Sequence, residues 1–407
     1  MVASAAPWES SPGGGIGMGV IVEGQRGATA GLRATRIALS GLFLLNGVGI
    51  ASWAAHVPYI KQRFGFSDAT LGVALLFVAF GSVVALLCCG PLVSRIGSRI
   101  VVIVAACTFC VALPLLMLVP VVPLLFVVLP IFGASIGAME VAINVQAVAV
   151  ENRYARPIMS NFHALFSVGG LLGAVVAAAT LSQSLPPAAH MIVIGVLLAG
   201  IVATAVPQLL PADPSREASG PLLALPTGPL LGLSVLAFFC LVAEGAMADW
   251  GAVYLRERIG TNPAFAAAGY AAFSVAMAAG RFGGDALRAR LHAALLVRLS
   301  GILAAVGLGV ALVIAQPVAT LIGFACVGLG LANIVPILFA AAGRTPGIAA
   351  EIGIAAVASV GYFGFLVGPP LIGFVAQATS LSWGLALVAL FIALIALLAG
   401  QARQAER

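Results

Sequence analysis

Residues 130–157 read PIFGASIGAMEVAINVQAVAVENRYARP. Most of the stretch is small and apolar, as a membrane-crossing helix requires, yet its interior carries Glu140, Asn144 and Gln146. A spacing of four puts Glu140 and Asn144 on one helical face. An acid near the middle of a membrane helix costs about 2.5–3.5 kcal/mol on insertion scales. Such a residue turns toward protein or a water-filled cavity, and is a functional candidate by default. The stretch closes on Glu151, Arg153 and Arg156, a charged turn suited to a cytoplasmic surface. The rest of the chain reads as a scaffold that builds a cavity around this helix.

The chain has 407 residues, of which 62% are hydrophobic and 8% charged. Soluble domains carry about 25% charged residues, so this is an integral membrane protein. Long unbroken apolar runs point to helices rather than the alternating short segments of a barrel. Twelve spans are expected, at about 36–60, 69–93, 99–119, 121–150, 157–182, 188–210, 228–255, 264–284, 292–315, 317–342, 349–378 and 381–400. Pro130 and the pair Pro369-Pro370 are candidate kinks.

The net charge of +6 reports topology, not nucleic acid, because the arginines sit at span ends. With the N-terminus inside, Lys61, Arg63, Arg256 and Arg258 fall in outer loops; the other 15 of the 19 Lys and Arg, Arg281 among them, fall inside. That asymmetry sets both termini in the cytoplasm. No apolar signal segment precedes the spans. Residues 1–35 are expected to be a disordered cytoplasmic tail, with Met18 a second candidate start. Residues 211–227, PADPSREASGPLLALPT, read as a cytoplasmic linker between six-helix halves at 36–210 and 228–400, and 401–407 as a tail. The six cysteines all fall in apolar spans and read as small core residues; Cys107 and Cys110 make a CxxC, but without His or acidic companions.

Weak internal matches support two parallel halves. Ser167-Val168-Gly169 recurs as Ser359-Val360-Gly361 in the eleventh span. Gly137 and Glu140 of the fourth span have counterparts in Gly330 and Asn333 of the tenth. Trp53 to Gly65 at the end of the first span parallels Trp250 to Gly260 at the end of the seventh.

The loop after the second span, Gly90-Pro91-Leu92-Val93-Ser94-Arg95-Ile96-Gly97-Ser98-Arg99, resembles the signature loop of the major facilitator superfamily, G-x-x-x-D-R-x-G-R-R. A second copy follows the eighth span, from Gly280-Arg281 to Asp285, Arg288 and Arg290. The resemblance implies an all-α membrane protein of twelve helices in two pseudo-symmetric halves. It also implies secondary transport by alternating access, with Arg95, Arg99, Asp285 and Arg288 in gating roles. Ser94 stands where the first copy usually has Asp, so the ion pair of that gate is not available there, while Asp285 keeps it available in the second half. Within the superfamily the chain is similar to the fucose-permease-like branch, on Glu140, Arg153, Arg156-Pro157, the run Ser160 to Gly170, and Glu244 with Asp249-Trp250. That branch uses acids in the first and fourth spans; here the first offers Asn46 instead.

Several residues carry the candidate chemistry. Glu140 is either a proton carrier in contact with solute or a structural acid; burial disfavours a charged carboxyl, which suits a group that loads and unloads protons. His163 is the second proton-coupling candidate. Asn46, Trp53, Asn144, Asn161, Glu244 and Asn333 are candidate solute ligands, against the alternatives of helix glue and an interfacial aromatic belt. Asp249 is expected near the outer gate, salt-bridged to Arg256 or Arg258. No phosphate-binding loop, catalytic constellation or cofactor motif is present. The expected partners are a small solute, protons and lipid, for a monomer in a bacterial inner membrane. The solute is a sugar or related polar metabolite on the branch resemblance; the alternative, on the very apolar spans, is proton-driven efflux of a drug or metabolite. A non-transporting sensor is the third alternative.

Overall fold

The computed structural model describes residues 16–154, 158–211 and 225–406, with side chains from Gly31 onward except at positions 160, 285, 351 and 404–406. Among the described residues there are helices and no strands. Twelve are long and apolar enough to cross a membrane: Gly31–Phe64, Asp68–Ile96, Ser98–Leu118, Val122–Tyr154, Asn161–Ser182 and Pro187–Gln208, then Gly228–Arg258, Pro263–Gly284, Ala293–Ile314, Pro317–Gly343, Ile352–Ala378 and Leu381–Arg403. Two departures from the sequence reading stand out. The first helix runs back to Ile16, so 16–35 is helical rather than tail. The tenth span is broken between Leu331 and Ile334, where Asn333 turns its amide out of the helix. The expected linker lies mostly outside the described residues.

Packing repeats at an offset of six spans. The first packs on the fifth, the second on the fourth, and the third on the fourth and sixth. Likewise the seventh packs on the eleventh, the eighth on the tenth, and the ninth on the tenth and twelfth. Hydrophobic burial does not drive helices together in lipid, so close backbone approach must do so. Glycine supplies it. A Cβ at Gly81 would stand 2.0 Å from the carbonyl oxygen of Pro130, and one at Gly133 would stand 1.9 Å from that of Val78. The same device joins the first and fifth spans, through Gly47 against Phe166 and Gly169 against Leu44. It recurs at Gly328 against Phe273, between the tenth and eighth spans. Pro130, inside the helix Val122–Tyr154, therefore sits at a crossing point.

Polar side chains inside the spans are spent on fixing the frame. Gln146 donates to Ser98 Oγ at 2.9 Å and to Leu210 O at 3.2 Å, and accepts from Leu210 N at 3.0 Å. It thereby ties the fourth span to the start of the third and the end of the sixth. Gln146→Leu strands the half-buried backbone groups of Leu210 and is expected to cost about 1–3 kcal/mol. A lower thermal unfolding midpoint in detergent, with unchanged solute affinity, is the check. Glu151 accepts the backbone N–H groups of Ile158 and Met159 at 2.7 and 2.8 Å, capping the fifth helix from the end of the fourth. A carboxylate there also meets the positive end of the helix dipole. Gly97, at φ 82°, makes the tight turn between the second and third spans, which accounts for the glycine of the signature-like loop.

The halves touch through the fifth span on the eighth, the second on the eleventh, and the first on the seventh and eighth. The close approaches gather toward one end of the bundle, the end away from the linker. There Gly72 meets the carbonyl of Pro369, and Gly373 meets that of Asp68. Ala55, Ala177 and Ala267 form a small buried cluster joining the first, fifth and eighth spans.

Candidate functional site

Three spans bring Glu140, Glu244 and Arg281 together inside the membrane region. Glu140, from the fourth, keeps an exposed side chain near the middle of its span. It lies within electrostatic reach of Glu244 of the seventh span and Arg281 of the eighth. Both belong to the other half, so Glu140 faces a cleft between halves rather than lipid. Arg281 Nη2 stands 3.7 Å from Glu244 Oε1, and the two side chains are 35% and 29% exposed. That separation exceeds hydrogen-bond length. Donors of Arg281 and lone pairs of both carboxylates therefore remain open to a third group.

Around this cluster, Asn144 donates to the backbone carbonyl of Glu140 at 2.8 Å and is half-buried on the same helical face. Asn161 is exposed at the start of the fifth span. His163, two residues further on, is half-buried against the edge of Phe43 and lies in reach of Arg281. Tyr362, of the eleventh span, lies in reach of Glu140 and Glu244. Tyr270, of the eighth, lies in reach of Glu244, Arg281 and Asp249. Electrostatic reach thus links Glu140, Glu244 and Arg281 to His163, Tyr270 and Tyr362, groups drawn from both halves.

Other expected ligands sit elsewhere. Trp53 is buried against Phe132 inside its own half. Asn46 is buried, and its amide oxygen has no hydrogen-bond partner. Asn333 donates to the carbonyl of Gly280 at 2.9 Å and fills the notch left by Gly284, while Ala332 and Leu329 pack against Gly280, holding the break in the tenth span against the eighth. Arg95 is exposed and Arg99 half-buried, and Ser94 donates to Pro91 O at 2.8 Å. Arg288 ends the eighth helix; the side chain of Asp285 and the residues Arg156 and Pro157 lie outside the described set.

Two expectations are corrected. Asp249 does not pair with Arg256 or Arg258. Arg256 donates to Thr261 O at 2.8 Å, and Arg258 Nε donates to Ser382 Oγ at 3.2 Å. Arg256 is two turns from Asp249, about 10 Å along the axis. A π-helical turn over Tyr254–Arg258 further rotates the end of the span. Arg281, counted among the cytoplasmic charges, instead reaches into the cleft from within the eighth span. Its neighbourhood in sequence, an arginine-rich copy of the signature loop, masked this; its match with Glu244 is visible only in three dimensions.

The sequence profile of the Major Facilitator Superfamily matches residues 37–350. The chain belongs to this family. It is 39% identical over 354 residues to an uncharacterised MFS-type transporter of Yersinia pestis, covering 87% of this chain and 92% of that protein. It is 35% identical over 355 residues to the membrane protein MosC of Rhizobium meliloti, covering 86% of each. Among solved structures, the nucleoside transporter NupG superposes with a TM-score of 0.69 at 16% identity, covering 90% of this chain and 98% of that one. A bacterial homologue of the human lysosomal transporter Spinster, inward-facing and occupied, superposes with a TM-score of 0.69 at 15% identity, covering 90% and 95%. Those two likenesses show the fold. This member of the superfamily is a multi-pass membrane transporter of twelve helices, as the signature-like loop implied.

Proposed function

We propose that this transporter moves a small polar solute, a sugar or related metabolite, by alternating access coupled to protons through Glu140. The observation that carries the proposal is the placement of Glu140: exposed at mid-span, facing Glu244 and Arg281 of the opposite half. A solute bridging these groups touches both halves at once, which is what makes its binding sensitive to their relative position. The loose Arg281–Glu244 pair supports a hydroxyl-bearing ligand, since hydroxyls both donate and accept. His163 is proposed as a relay beside Glu140, with Asn144 and Asn161 as ligands. The excess of Lys and Arg on the linker side supports cytoplasmic termini in a bacterial inner membrane. With that orientation, the closed end faces outward and the cleft opens inward. The protein is proposed to act as a monomer.

Counterflow in proteoliposomes, against labelled sugars, other polar metabolites and hydrophobic cations, tests the solute class. Exchange of a hydroxyl-rich solute is expected, with half-saturation raised at least about tenfold by Arg281→Ala, the equivalent of ~1.4 kcal/mol. Exchange confined to hydrophobic cations would reassign the chain to export of apolar compounds. Binding of a polar solute without exchange, by folded protein, would make it a sensor.

A further inference from the structure

The closed end of the bundle carries an ion pair that joins the halves. Lys61, the chain's single lysine, ends the first helix with its side chain only 10% exposed. Its Nζ donates to Asp68 Oδ1 at 2.5 Å and also to Glu257 Oε2. Asp68 opens the second span, in the same half as Lys61, whereas Glu257 ends the seventh, in the other. Each carrier is fixed within its own half. The turn between the first two spans is closed by Phe66 N donating to Lys61 O at 2.9 Å. Arg63 donates to Met117 O and, at 2.8 Å, to Val119 O, anchoring that turn to the third span. Glu257 is flanked by Arg256, bonded to Thr261 O, and Arg258, bonded to Ser382 of the twelfth span. Rocking of the halves would therefore leave Lys61–Asp68 and the turn around Glu257 intact and, of these polar bonds, separate only Lys61 from Glu257.

We infer that Lys61 and Glu257 form a latch that holds this end shut, and that Asp68 sets its strength by competing for the same ammonium. The inference rests on the alternating-access reading above. With Asp68 present, the ammonium keeps a carboxylate partner when the end opens, which lowers the cost of releasing Glu257. Removing Glu257 weakens the closed state; removing Asp68 weakens the open state, because Lys61 then has Glu257 alone. The two substitutions must push the protein in opposite directions, which a purely structural role for the cluster does not predict.

Hydrogen–deuterium exchange on the full-length protein in nanodiscs reads this without added labels. The turns at 61–68 and 254–262 report the latched end, and 94–100 with 344–350 report the other. Glu257→Gln and Lys61→Met are expected to raise exchange about threefold at the latched end and lower it at the other, a size in keeping with a half-exposed ion pair. Asp68→Asn is expected to do the reverse, and Lys61→Arg to keep the wild-type pattern. Gly72→Trp supplies an independent wedge, since a Cβ there already meets Pro369 O at 2.8 Å. If the wedge moves the two ends oppositely while Glu257→Gln and Asp68→Asn act alike or not at all, the latch is overturned and alternating access stands. If the wedge too moves neither end oppositely to the other, alternating access fails and the latch with it.

Discussion

Glu140→Gln is expected to abolish solute accumulation driven by a proton gradient while leaving solute exchange intact. Gln keeps the size and hydrogen-bonding reach of the carboxyl but cannot take up or release a proton. A gradient of one pH unit stores about 1.4 kcal/mol per proton, enough for about tenfold accumulation of a neutral solute at one proton each. The wild type should approach that ratio in proteoliposomes, and the variant should stop near unity. Glu140→Asp, which keeps a titratable group on the cleft face, should retain coupling at a lower rate. Accumulation by the Gln variant at the wild-type ratio would move the proton to another group of the cluster, Glu244 or His163, and return Glu140 to a structural role.

The largest effect on stability is expected at the glycine crossings. Gly133→Ala places a Cβ 1.9 Å from the carbonyl of Val78, and Gly81→Ala places one 2.0 Å from that of Pro130. Both obstacles are backbone, so neither a side-chain rotation nor a small shift relieves them, and the second and fourth spans must separate. Overpacking costs roughly 1–3 kcal/mol where neighbours can yield; here a loss at or beyond the top of that range is expected, seen as aggregation or a lowered unfolding midpoint in detergent. Gly200→Ala and Gly309→Ala are the matched controls, with nothing within 4 Å of the new Cβ. They should be neutral or slightly stabilising, because alanine is the better helix former. Equal damage at all four positions would mean that helix crossing is not what these glycines serve.

Much of this molecule was legible in the chain because lipid makes polar residues conspicuous. Glu140 and Glu244 stand out in apolar runs, and the structure places both at the cleft. The twelve spans and the two halves follow from apolar length and from repeats such as Ser167-Val168-Gly169 and Ser359-Val360-Gly361. Residues near span ends were harder. Arg281 sits within an arginine-rich copy of a loop motif and has the look of a solvated charge. Only the fold brings it beside Glu244. Lys61 and Glu257 likewise resemble ordinary loop charges, nearly two hundred positions apart, although a lone lysine in a chain that otherwise uses arginine was a signal to be followed. Asn46, Gln146 and Asn333 look equally suited to binding a solute or bonding a helix. Gln146 and Asn333 prove to hold backbone, at Leu210 and Gly280, and periodicity does not separate the two uses. Proximity along one helix points to Arg256 or Arg258 as the partner of Asp249, and the π-helical turn after it carries both out of register.

The most direct test of Glu140 as the coupling site is the external pH recorded as unlabelled solute is added to proteoliposomes, for wild type and Glu140→Gln in parallel. Alkalinisation of the outside by one polar solute, absent in the variant although that solute still exchanges, is the predicted result. Entry of the solute into wild-type vesicles with no movement of pH would contradict it, leaving a uniporter whose cleft acid binds solute alone.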